Sequence, residues 1–194
     1  MSSSPKIIEN FLPDILFESF AYSCINRPHF SVADYAAYPW EADGSISNLG
    51  RHLNPDPNQN LNECMAQTVI YRRRADQITI TDFYIESEIV INEIRKLLNI
   101  KKLWMMRANC TFGTKEPHQG AFHKDKDSAY FDKHGKIAIL YLNSNNGGTQ
   151  FKDGEFIKSE ANRCVIAPAT AEHAGVWSTD SKCRLVLNLN YEEN

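Results

Sequence analysis

The spacing of apolar residues changes period partway along this chain, from helix-like in the first half to strand-like in the second. "IIENFLPDILFESFAYSCIN" carries Leu12, Ile15, Leu16 and Phe20 at helical intervals and predicts a helix from Pro13 to Cys24. Pro13 and Asp14 stand where a first helical turn tolerates them. "FYIESEIVINEIRKLLNI" repeats the pattern with Ile85, Ile89, Ile94, Leu97 and Leu98, and Asn99 offers a C-terminal cap, so a second helix is expected there. Between them, residues 27 to 63 hold Pro28, Pro39, Pro55 and Pro57 among Asn, Asp and Gly. That composition predicts a long irregular segment of the kind that covers a site.

From Lys102 onward the runs are short, β-branched or aromatic, and alternating: "LWMMRANCTF", "KIAILYLN", "GTQFKDGEFIKSE", "RCVIAPA", "GVWST" and "CRLVLNLNY". Gly, Asn and Asp turns separate them, which predicts an antiparallel sandwich or barrel. With 194 residues and 42% hydrophobic composition, the chain is long enough for one substantial core. The expected organisation is a single domain over 1–194, with 1–100 as a helical and irregular support and 101–191 as the β core.

Net charge narrows the partners. At a formal charge of -3, nothing draws the chain as a whole to nucleic acid or to an anionic membrane. No stretch approaches the roughly 18 apolar residues that a membrane span requires. The N-terminal "MSSSPKIIENFLPD" has no apolar signal region. Five widely spaced cysteines without a CxxC pair suit a reducing compartment, so a cytoplasmic location is expected.

The candidate chemistry begins at "GAFHKDKDSAYF". Residues two apart in a strand share a face, so His123 and Asp125 present an imidazole and a carboxylate together while Lys124 points away. His173 lies in "APATAEHAGVWS", after the strand "RCVIAPA". Two histidines and one carboxylate occupy one face of an octahedral Fe(II) and leave three positions open for a chelating cosubstrate and O2. Arg184, eleven positions after His173 in an apolar strand, is costly to bury without an anion. A guanidinium placed there can clamp a ligand carboxylate bidentately, the alternative being a buried structural salt bridge.

HxD, then "YLNSNNGGTQF", a distal histidine and an arginine in the last strand resemble the 2-oxoglutarate/Fe(II)-dependent oxygenases. The likeness is to their prolyl-hydroxylase-like branch and its relatives from phages and marine bacteria, over about residues 101 to 191. It implies a double-stranded β-helix, a jelly-roll variant, supported by N-terminal helices. It also implies His123, Asp125 and His173 as iron ligands and Arg184 as the partner of the far carboxylate of 2-oxoglutarate. Tyr141, in "LYLN", matches a tyrosine that binds the same carboxylate in relatives, and Asn109 and Thr111 lie where relatives place polar cosubstrate contacts. The arginine stands one or two positions later than in many relatives, and Val186 replaces a Ser or Thr common two positions after it.

The activity so implied is hydroxylation of an aliphatic carbon, with 2-oxoglutarate decarboxylated to succinate. The expected substrate is a prolyl or other peptidyl side chain in a groove between residues 27 to 80 and the barrel mouth; free amino acids or other small molecules come next. An oxygenase acting on nucleobases is a further alternative. Outside this class stand a non-enzymatic jelly-roll module that binds a dicarboxylate and a zinc or manganese cupin, although cupins usually supply more histidines. His118, His134, His29 and His52 read as loop residues, and "YRRRADQ" as a solvated strand or turn. Among the tryptophans, Trp177, four positions after His173, is the one expected near a site.

Overall fold

The computed structural model describes residues 4–26, 65–73, 77–125 and 129–194. The expected irregular segment at 27–63, with His29, Trp40 and His52, lies outside these residues, as does Arg74.

Alternation in the second half builds two antiparallel sheets. The larger contains β1 (Lys6–Ile8), β2 (Met65–Arg73), β3 (Ile78–Ile80), β4 (Ile100–Phe112), β5 (Gly135–Tyr141), β8 (Cys164–Pro168) and β10 (Cys183–Glu193), in the order β1-β8-β5-β10-β4-β2-β3. The smaller contains β6 (Gly148–Phe151), β7 (Phe156–Lys158) and β9 (His173–Val176), in the order β7-β6-β9. Apart from the β2–β3 and β6–β7 pairs, neighbouring strands are distant in sequence, as in a jelly roll.

The period of two sorts the side chains onto two faces. On β10, Leu185, Leu187, Leu189 and Tyr191 join Leu103, Met106, Ala108 and Cys110 of β4 in a core that reaches the helices. On the opposite face Val186 meets Ile137, Ile139 and Tyr141 of β5, Val165 and Ala167 of β8, and Phe151 and Ile157 of the smaller sheet. This second cluster packs part of the space between the sheets. The polar residues in phase with Val186 (Arg184, Asn188 and Asn190) therefore point inward, as do Arg107, Asn109 and Thr111 on β4.

The helices cover the outer face. α1 spans Asp14–Asn26, close to the expected Pro13 to Cys24, and packs Phe20 against Phe83 with ring centroids 5.6 Å apart. The second expected helix is broken at Ser87 into α2 (Asp82–Glu86) and α3 (Glu88–Leu97). Thr81 caps α2 by accepting from the Tyr84 N–H, and Val90, Ile91 and Ile94 form the buried stripe of α3. Asn99 follows the C-cap Leu98 in the left-handed region at φ 50°, as an α-helix C-terminus favours. α4 (Ala129–His134) ends on His134, which is exposed as expected but sits in a helical turn and not in a turn between strands. Arg72 and Arg73 belong to β2, in line with a strand.

Candidate metal and dicarboxylate site

Three segments bring the candidate ligands together. His173 opens β9, and the residue opposite it across the chain fold is His123, which forms an isolated bridge with it. The two exchange both backbone bonds at 3.0 Å, His123 N to His173 O and His173 N to His123 O. Such a pairing holds the two side chains on one face, with ring centroids 4.8 Å apart. Asp125 lies in a bend just past the bridge, so a turn and not a regular strand carries the HxD pair.

The ligand atoms of His123, Asp125 and His173 all lie within 4.8 Å of one another. Asp125 Oδ1 is 3.9 Å from His123 Nε2 and 4.0 Å from His173 Nε2. Each imidazole is oriented by the same device. His123 Nδ1 lies 3.1 Å from the Ala121 carbonyl and His173 Nδ1 lies 3.1 Å from the Ala171 carbonyl. A carbonyl only accepts, so each Nδ1 carries the proton and each Nε2 keeps its lone pair toward the centre. Burial lowers the His173 pKa below its ordinary value and keeps that ring neutral, as a metal ligand must be.

Asp125 is held from both sides. Arg107 Nη2 donates to its Oδ1 at 2.8 Å, and the Asn190 amide, in the orientation that satisfies both its ends, donates to Oδ2 at 3.0 Å. Burial pushes this carboxyl up, but Arg107, with His173 and His123 behind it, brings it below the usual carboxylate value. Neither Arg107 nor Asn190 was marked by the sequence reading. Their signal is their phase: each is an inward polar position in a strand whose other face is apolar.

The second half of the site lies one row further along the smaller sheet. Thr149 on β6 pairs with Gly175 on β9, as Phe151 pairs with His173. Arg184, 5% exposed, donates from Nη2 to Thr149 Oγ1 at 3.0 Å and lies over the Tyr141 ring, 5.4 Å from its centroid. Tyr141 Oη is 2.8 Å from Thr149 Oγ1 and 3.1 Å from the Ile157 carbonyl. With one proton on each hydroxyl, these contacts resolve into a chain from Arg184 through Thr149 and Tyr141 to Ile157 O. Thr149 is the contact within "GGTQF" that the sequence reading left unassigned.

Arg184 has no carboxylate partner among the described residues. Burial pulls its pKa down, and only the Tyr141 hydroxyl works against that. Its Nε is buried without a partner among these residues, as are Asn109 Oδ1, Asn188 Oδ1 and Trp177 Nε1. Asn109, Asn188 and Arg184 share the inward face. Thr111 is the exception among the expected contacts: its hydroxyl reaches the Arg184 backbone carbonyl at 3.4 Å. The open N–H of the unbalanced Arg184 guanidinium suits an anionic ligand, whereas Asn109 Oδ1 and Asn188 Oδ1 only accept and call for donors.

Of the other histidines, His118 packs edge-on against Trp177 at 4.7 Å between ring centroids, away from the triad. Among the described residues no helix is long and apolar enough to cross a membrane.

No family model and no curated protein matches this chain. Solved structures do. The chain is 12% identical to a prolyl hydroxylase from Trichoplax adhaerens, solved with a hypoxia inducible factor oxygen degradation domain peptide fragment, at TM-score 0.55 over 97% of this chain and 83% of that one. It is 11% identical to the epimerase SnoN in complex with Fe3+, alpha ketoglutarate and nogalamycin RO, at TM-score 0.54 over 97% and 78%. A viral collagen prolyl hydroxylase from Paramecium Bursaria Chlorella virus-1, in its 2OG complex, aligns at TM-score 0.50 and 12% identity over 99% and 97%. What the chain shares with these proteins is the fold, the double-stranded β-helix of the 2-oxoglutarate/Fe(II)-dependent oxygenases.

Proposed function

We propose that this protein is a 2-oxoglutarate- and Fe(II)-dependent dioxygenase that hydroxylates an aliphatic carbon. The observation that carries this reading is the joint placement of the His123, Asp125 and His173 triad and of the uncompensated Arg184, which donates to Thr149 one strand row from His173. In an antiparallel strand that row is about 7 Å. A three-ligand metal centre alone fits many chemistries, and a buried arginine alone fits a salt bridge. Together they fit a metal chelated by a cosubstrate whose far end is a carboxylate.

Iron held by the triad would supply the oxidising chemistry, with 2-oxoglutarate and O2 as cosubstrates and succinate and carbon dioxide as coproducts. The chain's own residues do the rest. His123 and His173 offer their Nε2 lone pairs, and Asp125, fixed by Arg107 and Asn190, supplies one negative oxygen. Three protein ligands leave the remaining coordination positions open. Arg184 and Thr149, backed by Tyr141, receive the distal carboxylate, and Asn109 lines the inner wall near them. Val186, Ile139 and Phe151 exclude water from the space between.

The substrate reading is a prolyl or other peptidyl side chain, or a free amino acid. The Trichoplax enzyme that shares the fold was solved with a peptide fragment, which supports a peptide. Succinate formation from 2-oxoglutarate tests the proposal: it should require Fe(II), vanish in Asp125→Ala, and rise when proline-containing peptides are added. Iron-dependent binding of 2-oxoglutarate without succinate under any condition would leave a dicarboxylate-binding module instead.

A further inference from the structure

Seven glycines fall among the described residues, and six have a reason within the protein to be glycine. At Gly113, Gly135, Gly147 and Gly148 a β-carbon would lie 2.1 to 2.6 Å from a neighbour. At Gly120 it would press on the Trp177 ring at 3.1 Å, and Gly154 has φ 104°. Gly175 has neither reason. A β-carbon there would sit 3.7 Å from Arg184 Nη1 and 3.9 Å from Trp177 Cζ3, at ordinary contact distance, and the backbone is extended within β9.

A glycine inside a strand weakens it relative to alanine, through the freedom it loses on folding. No contact among the described residues requires a glycine here. Gly175 lies between His173 and Trp177 on the inward face of β9, opposite Thr149, whose hydroxyl is bonded to Arg184. Both backbone edges are engaged, with Gly120 N donating to Gly175 O at 2.9 Å on one side and β6 on the other.

We infer that Gly175 is the clearance through which the cosubstrate passes from the triad to Arg184, and so sets how much bulk the dicarboxylate pocket admits. The inference rests on the oxygenase reading. The backbone of β9 is one wall of the pocket, bare at that point, and the Trp177 ring edge closes the pocket beyond it. A methyl group on residue 175 fits among the described residues but would collide with a ligand lying against the strand.

Gly175→Ala separates these two effects. Metal-free wild type and variant are melted, then Mn(II) and 2-oxoglutarate are titrated in sequence by calorimetry, with tryptophan fluorescence as a second readout of the ring beside the pocket. The variant should melt at or above wild type and bind Mn(II) equally well. Its affinity for 2-oxoglutarate should fall roughly tenfold or more, the usual effect of an extra methyl in a filled site. Equal 2-oxoglutarate affinity would overturn the inference, and so would a variant that melts well below wild type, since the glycine would then be structural. Failure of wild type itself to bind 2-oxoglutarate would overturn the oxygenase reading first.

Discussion

Arg107 Nη2 lies 2.8 Å from Asp125 Oδ1, on the same carboxylate oxygen that faces both imidazoles. This bond orients the anionic ligand and, with the two imidazoles, offsets the upward push of burial on its pKa. Arg107→Gln should leave the fold intact and weaken metal binding, and residues that orient ligands typically contribute about 10- to 100-fold in affinity. Calorimetric titration with Mn(II) measures this directly. Asn190→Leu, which frees the other oxygen, should act in the same direction.

Arg184 should show opposite effects on stability and on binding. Its charge is buried without a counter-ion, so replacing it with an apolar side chain of similar length removes a cost. The Arg184→Met protein is expected to melt at or above wild type without ligand. It should also lose the stabilisation that 2-oxoglutarate gives the metal-loaded wild type. Paired melting curves with and without cosubstrate read both effects.

Tyr141→Phe breaks the hydroxyl chain at its centre. The Ile157 carbonyl loses its side-chain donor, and Thr149 loses the neighbour that receives its proton. Leaving such buried groups open costs about 1–3 kcal/mol, so a clear drop in denaturant midpoint is expected. A weaker hold on 2-oxoglutarate should accompany it, because Thr149 is then free to turn away from Arg184.

Acid should destabilise the metal-free protein in two stages of the same sign. Burial lowers the His173 pKa below 6.5, so as pH falls through that value the unfolded chain takes up a proton that the folded site refuses. Asp125, lowered below 3.8, adds its own loss once the pH passes beneath that value. In both cases the unfolded state binds more protons, and stability falls as pH falls. Melting temperature against pH should therefore decline below about pH 6.5 in wild type, with a flatter decline in His173→Asn.

Much of the β architecture was legible because one face of each strand is apolar and the other is not. In "CRLVLNLNY" the alternation separates Leu185, Leu187 and Leu189 from Arg184, Asn188 and Asn190. Arg184 stood out as a charge within that apolar strand, whereas Tyr141 was suggested only by the family resemblance and His173 by its place after "RCVIAPA". The three-residue strands β1 and β3 were not, since they are too short to show a period and take their register from β8 and β2. The break at Ser87 was hidden because the apolar spacing continues across it. Arg107 and Asn190 stand far apart in sequence, and only strand register brings both to Asp125. Gly175 shows a related limit. A glycine in a sequence declares no reason, and only the contacts around its missing side chain distinguish packing from clearance.

The central claim is that one cavity holds both a metal and a dicarboxylate. An anaerobic titration of the metal-free protein with Fe(II) and then 2-oxoglutarate, followed by visible absorption, tests both at once. Wild type should develop the iron-to-cosubstrate charge-transfer band. Asp125→Ala should lose it, and Arg184→Met should need far more 2-oxoglutarate to reach it. Absence of the band in folded wild type, or a band indifferent to both substitutions, would contradict the account.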